Sequence, residues 1–119
     1  MEHNFRKLKI WQLGMDIVDE VYVLTSKFPK EEVFCLQSQA RRSAIAMPSN
    51  VAEGAGRRTK RDFSNFINIA MGSSNELITQ IIISARRNYI SNDACEIIVA
   101  RIQQWQNMVF SFQKNNLEW

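Results

Sequence analysis

A chain of 119 residues with 45% hydrophobic content has the size and composition of one folded domain, which excludes global disorder. Its longest clearly apolar run, Ile81-Ile82-Ile83, is far too short to span a bilayer. A net charge of +3 is ordinary for a surface-charged protein of this size, so only the placement of the cations can argue for an anionic partner.

The start, Met1-Glu2-His3-Asn4-Phe5-Arg6-Lys7, precedes no apolar block and no small-residue cleavage site. It does not read as a secretory signal, and the expected compartment is the cytoplasm. Beyond it, Leu8, Trp11, Met15, Val18, Tyr22 and Thr25 recur at three- and four-residue steps, with a second stripe, Ile10, Gly14, Ile17, Val21, Leu24 and Phe28, beside them. The spacing predicts a helix over about residues 8–27 whose wide apolar face meets two neighbours, and Pro29 marks its end.

Glu31 and Glu32 suit the positive end of a second helix, expected over about residues 31–55. Its buried line is Val33, Gln37, Ala40, Ala44, Met47 and Val51, rich in small residues that permit close approach of a neighbouring backbone. Pro48 falls inside, where it predicts a local kink and not a break. Gly54 and Gly56 then allow the turn.

Thr59 and Asp62 have the spacing of an N-cap, opening a third helix over about residues 60–88 along Phe63, Ile67, Ala70, Ser74, Leu77, Ile81 and Ala85. Ser91 or Asn92 caps a fourth, over about residues 92–114, along Cys95, Ile98, Ile102, Trp105, Val109 and Phe112. Neither sustained two-residue alternation nor a hairpin turn is present. With short connections, the reading is all-α: a single domain over residues 1–119, folded as an antiparallel up-down-up-down four-helix bundle.

Little points to chemistry. The single histidine, His3, lies outside the expected helices, which removes the Glu-x-x-His pairs of bundle metal sites and the usual Ser-His and Cys-His nucleophile pairs. No phosphate-cradling Gly-x-x-x-x-Gly-Lys run occurs. Cys35 and Cys95 follow no metal spacing and read as buried free thiols. No catalytic residue, metal ligand or cofactor is therefore assigned. Glu53 and Glu76, separated by roughly 25 Å of helix, cannot share a substrate. Glu76 is instead expected opposite Arg41 and Arg42, as a salt bridge between the second and third helices.

The densest charge feature is Arg57-Arg58-Thr59-Lys60-Arg61 at the second turn. In an up-down bundle this turn shares a pole with Arg6, Lys7 and Lys9 and with Lys114 at the end of the last helix, while Arg86 and Arg87 fall at the other pole. Such a cluster is either a solvated turn or an anion site suited to phosphates.

The stretch Arg41-Arg42-Ser43-Ala44-Ile45-Ala46-Met47-Pro48-Ser49-Asn50-Val51-Ala52-Glu53-Gly54-Ala55-Gly56-Arg57 resembles the signature of the four-helix-bundle proteins named for 23S ribosomal RNA intervening sequences. Phe28-Pro29, Glu32-Val33-Phe34-Cys35-Leu36, Gln39 and the run Phe66 to Leu77 match the same pattern, so the resemblance covers nearly the whole chain. Cys35 stands where that family commonly has glycine, and Ala46 where it commonly has serine. The resemblance implies a bundle assembled as a ring-like homopentamer, similar to the accessory proteins of diversity-generating retroelements, relatives that bind RNA and a reverse transcriptase.

The expectation is a non-enzymatic, oligomeric accessory protein whose partners are itself and RNA or an RNA–protein complex, with no membrane. Its expected contact residues are Arg57, Arg58, Lys60, Arg61, Arg6, Lys7 and Lys9. Arg41, Arg42, Asn50, Glu53, Arg57 and Glu76 are expected to form a structural polar network. The alternative is a protein-only scaffold that docks a partner polypeptide with the same surface.

Overall fold

The computed structural model describes residues 4–118. Four helices account for most of them: α1 (Lys9–Thr25), α2 (Leu36–Ala55), α3 (Lys60–Arg86) and α4 (Asn92–Asn116), with no strand among the described residues. The molecule measures 45 × 24 × 20 Å, so it is a short rod.

The side-chain bonds between helices give their directions. Thr25, at the end of α1, receives Gln37 and Arg41 from the start of α2, while Gly14 sits against Pro48. Gln106 of α4 reaches Ser74 and Asn75 of α3, and Gln113 reaches back to Ser64 and Asn68. Trp105 Nε1 donates to the Ile10 carbonyl at 2.7 Å, and Arg101 pairs with Glu20 further along α1. Each helix packs on its sequence neighbour and α1 also packs on α4, all antiparallel, which closes the up-down-up-down bundle.

The core follows the expected lines. Ile10, Ile17 and Val21 of α1, Ala40, Ala44, Met47 and Val51 of α2, Phe63, Ile67, Ala70, Leu77 and Ile81 of α3, and Ile98, Ile102, Trp105 and Val109 of α4 are buried in one cluster. The other stripe of α1 is only partly covered: Trp11 and Val18 are half-buried, whereas Met15 and Tyr22 are exposed. Its wide apolar face is therefore real in sequence but only half used within the chain.

The second helix differs from expectation at its start. Lys30–Glu32 form a separate 3-10 turn, and α2 begins only at Leu36, because Cys35 at φ −120°, ψ −103° interrupts the helical path. Glu32 ties the segment down: its carboxylate accepts the Tyr89 hydroxyl at 2.8 Å and lies 3.4 Å from the Leu36 amide. That hydrogen bond, with burial second, raises the Tyr89 pKa. Val33, expected in the buried line, is consequently exposed, and Phe34 projects fully, at 93% exposure. Cys35 is likewise exposed and not buried; Cys95 is buried, both are free thiols, and burial pushes the Cys95 thiol up.

The remaining signals fall where local chemistry puts them. The helix runs through Pro48 unbroken. Thr59 Oγ1 accepts the Asp62 amide at 3.1 Å, and Ser91 Oγ accepts that of Ala94 at 3.0 Å, the two N-caps read from the residue types. Asn88 ends α3 with φ 63°, a left-handed conformation that Asn tolerates better than most side chains, two residues beyond the last helical residue, Arg86.

Candidate nucleic-acid interface

The basic pole is built by three chain segments. The turn after Ala55 carries Arg57 and Arg58, and the first turn of α3 carries Lys60 and Arg61; all four side chains are exposed. The 3-10 turn Phe5–Lys7 packs against both α1 and α2, which brings Arg6, Lys7 and Lys9 to the same end of the rod. Gln12 fixes that turn by donating its amide to the Arg6 carbonyl at 2.9 Å, and Phe5 stacks edge-on against Trp11. The bonds from Gln113 to Ser64 and Asn68 bring Lys114 near as well. Arg86 and Arg87 lie at the opposite pole, as the topology requires.

Among these cations only Arg57 is committed to a carboxylate: its guanidinium is 2.7 Å from Glu53 and lies over the Phe66 ring at 4.6 Å. Both partners of that pair are exposed, so it orients Arg57 more than it stabilises the fold. Arg58, Lys60, Arg61, Arg6, Lys7 and Lys9 form no ion pair among the described residues. Their charge stays available to solvent or to a polyanion.

The expected polar network divides into separate pieces. Asn50 donates to the Ala46 carbonyl of its own helix at 2.8 Å and does not join the Glu53–Arg57 pair. Arg41 turns away from α3 towards α1: its Nε donates to Thr25 Oγ1 at 2.9 Å and its guanidinium stacks over Tyr22 at 4.3 Å. The Glu76 salt bridge is therefore not formed with Arg41. Nor does Arg42 complete it, although Arg42 and Glu76 line the same polar depression, of about 320 Å³, on the α2–α3 face. The expected axial level is right; the gap between the two side chains prevents the pair.

Gln39, Ser43, Ala46, Ser73 and Gln80 complete that depression, and the sequence alone does not single them out as a site. The available signal is the three- and four-residue spacing of Ser73, Glu76 and Gln80, which places them on one face of α3. Lys7 and Lys9 line a second, larger groove of about 780 Å³ between α1 and α4, floored by Leu8, Met108 and Phe112.

Among the described residues no group of His, Cys, Asp and Glu could hold a metal, and no helix is long and apolar enough to cross a membrane. His3 lies outside the described residues.

Fold and pole together define an all-helical bundle with one cationic end. The model of the 23S rRNA-intervening sequence protein family matches residues 6–111, and the chain belongs to that family. A crystal structure of a protein of unknown function from the S23 ribosomal protein family of Bacteroides thetaiotaomicron is similar, with a TM-score of 0.81 and 21% identity, covering 88% of this chain and 98% of that one. At that identity the likeness is one of fold. No protein of curated function matches the chain.

Proposed function

We propose that this protein is a cytoplasmic, non-enzymatic accessory protein that self-associates, as a ring-like homopentamer, and holds RNA at its basic pole. The observation that carries the reading is the run Arg57, Arg58, Lys60 and Arg61, exposed on one turn with a single carboxylate partner among them. Guanidinium and ammonium groups are donors only, with several N–H groups each, which suits them to phosphate contact. Self-association is supported by the half-used apolar face of α1 and by Phe110, 67% exposed on α4. Repeating a modest cationic cluster around a ring raises avidity for a polyanion without any new contact.

The test is binding of nucleic-acid-free protein to structured RNA across a salt series, with the oligomeric mass measured alongside. Retention should fall steeply with salt, and replacing Arg57, Arg58, Lys60 and Arg61 with glutamine should lower the log–log slope by about one for each phosphate no longer neutralised. An unchanged slope would remove the pole from the interface.

A second reading, a protein-only scaffold, has its own observation: Phe34 at the opposite pole projects with 93% exposure, and Ile97 in the early part of α4 is 66% exposed. Absence of RNA retention even at low salt would favour it.

A further inference from the structure

Phe34 is the most exposed large apolar side chain among the described residues, at 93%, and Val33 beside it is exposed as well. Single apolar groups at a surface are ordinary, but this one stands on a backbone that is held in place. The Glu32, Val33 and Cys35 amides donate to the carbonyls of Pro29, Lys30 and Glu32, and the Glu32 carboxylate accepts the Tyr89 hydroxyl at 2.8 Å. Phe34 is therefore presented as a fixed knob and not as a loose tip. Glu31, just before it in the same turn, is exposed and forms no ion pair among the described residues.

The groove between α1 and α4 has the opposite character. It holds about 780 Å³ over a floor of Leu8, Met108 and Phe112, and its described lining includes Lys7 and Lys9 but no carboxylate. Neither lysine forms an ion pair among the described residues. An apolar hollow edged by unpaired cations is the complement of an apolar knob flanked by an unpaired acid. The groove lies towards the basic pole, and the knob stands at the other pole of a rod 45 Å long, so one chain cannot bring its own knob and groove together. Two copies can.

We infer that the Phe34 knob of one copy docks in the α1–α4 groove of a second copy, with Phe34 and Val33 on the apolar floor and Glu31 against Lys7 and Lys9. The pairing rests on the self-association reading and gives it an interface. Knob and groove are different surfaces, so the contact is heterologous: each copy gives one and receives one, and successive copies form a ring when the rotation between them closes. A closed ring leaves no knob exposed and no groove unfilled. Arg57, Arg58, Lys60 and Arg61 do not line the groove and stay open to a polyanion.

The experiment measures the mass of the full chain by sedimentation velocity over a concentration series, unsubstituted and as two variants. Phe34→Ala removes the knob and keeps the groove. Ser111→Arg fills the groove from an exposed position on its α4 wall and keeps the knob. Each alone should weaken self-association by roughly 10- to 100-fold, the effect of leaving one aromatic side chain unburied, with the helical circular dichroism unchanged. Mixed in equal amounts, the two should form a one-to-one dimer and nothing larger, since the pair retains one usable knob and one usable groove. Asn107→Arg, one turn away on the same wall, replaces Ser111→Arg if that variant loses helix.

Assembly of Phe34→Ala equal to that of the unsubstituted chain would overturn the pairing and leave self-association standing. A mixture of the two variants that stays monomeric would do the same, because loss without complementation places the knob on some other surface. An unsubstituted chain that is monomeric at every concentration would overturn the pairing together with the self-association it rests on, and would leave knob and groove to a partner foreign to this chain.

Discussion

The seam between α2 and α3 and the seam between α1 and α4 join neighbours in the same bundle by opposite means. Along α2–α3 the backbones close on one another: Gly54 lies so near α3 that an added Cβ would stand 2.7 Å from Phe63 Cδ1 and 3.1 Å from the Phe63 carbonyl oxygen. Along α1–α4 the helices diverge around a groove of about 780 Å³, and long side chains span the distance, chiefly Trp105 to the Ile10 carbonyl and Arg101 to Glu20. A close seam is sensitive to added volume. A wide seam is sensitive to losing the few groups that cross it.

Three substitutions and one double-mutant cycle probe that contrast by equilibrium denaturant unfolding. Trp105 is fully buried and donates its indole N–H across the wide seam, so Trp105→Ala should be the most damaging, at about 3–5 kcal/mol. Gly54→Ala adds only a methyl group to the close seam, yet Phe63 is fully buried and has little room to yield; a loss of about 1–3 kcal/mol is expected. A neutral result there would show that the seam can open and would erase the distinction. Thr59→Ala, which removes the N-cap where α3 enters the close seam, should cost about 1 kcal/mol. The half-exposed Arg101–Glu20 pair should contribute least, a coupling of about 0.2–1 kcal/mol in a double-mutant cycle, shrinking as salt rises.

The heptad lines of α3 and α4 are legible in the sequence because each helix has one dominant apolar stripe, and Phe63, Ile67, Leu77, Ile102 and Trp105 are all buried as their spacing requires. The caps at Thr59 and Ser91 are legible because their side chains act on the backbone a few residues away. The start of α2 is not. The break at Cys35 delays it to Leu36, and Glu32 just before that break is held by Tyr89, a residue far along the chain, whereas local acid placement alone suggests an earlier start.

The cationic pole is visible as a run of residue types, since topology and charge are enough to place it. The α2–α3 depression is visible only in part. Arg42 and Glu76 can be set at one axial level, but whether their side chains touch, and that Arg41 turns to Thr25 and Tyr22 instead, depends on rotamers and on α1. Gln80 carries no signal of its own, because an amide on a helix surface usually finds water or a neighbour.

The meeting of Gly14 and Pro48 has a consequence for how the chain finds its alignment. A Cβ at Gly14 would come within 3.3 Å of Pro48 Cβ and 3.4 Å of its Cδ, so the ring fits into a notch in α1. Sliding α1 along α2 by about one turn, some 5.4 Å, would carry Ile10 or Ile17 towards the ring, and either brings a branched side chain into the space the notch leaves free. Glycine and proline, residues that ordinarily weaken helices, here act as an index mark: they admit one axial setting of the first hairpin and penalise its nearest competitors.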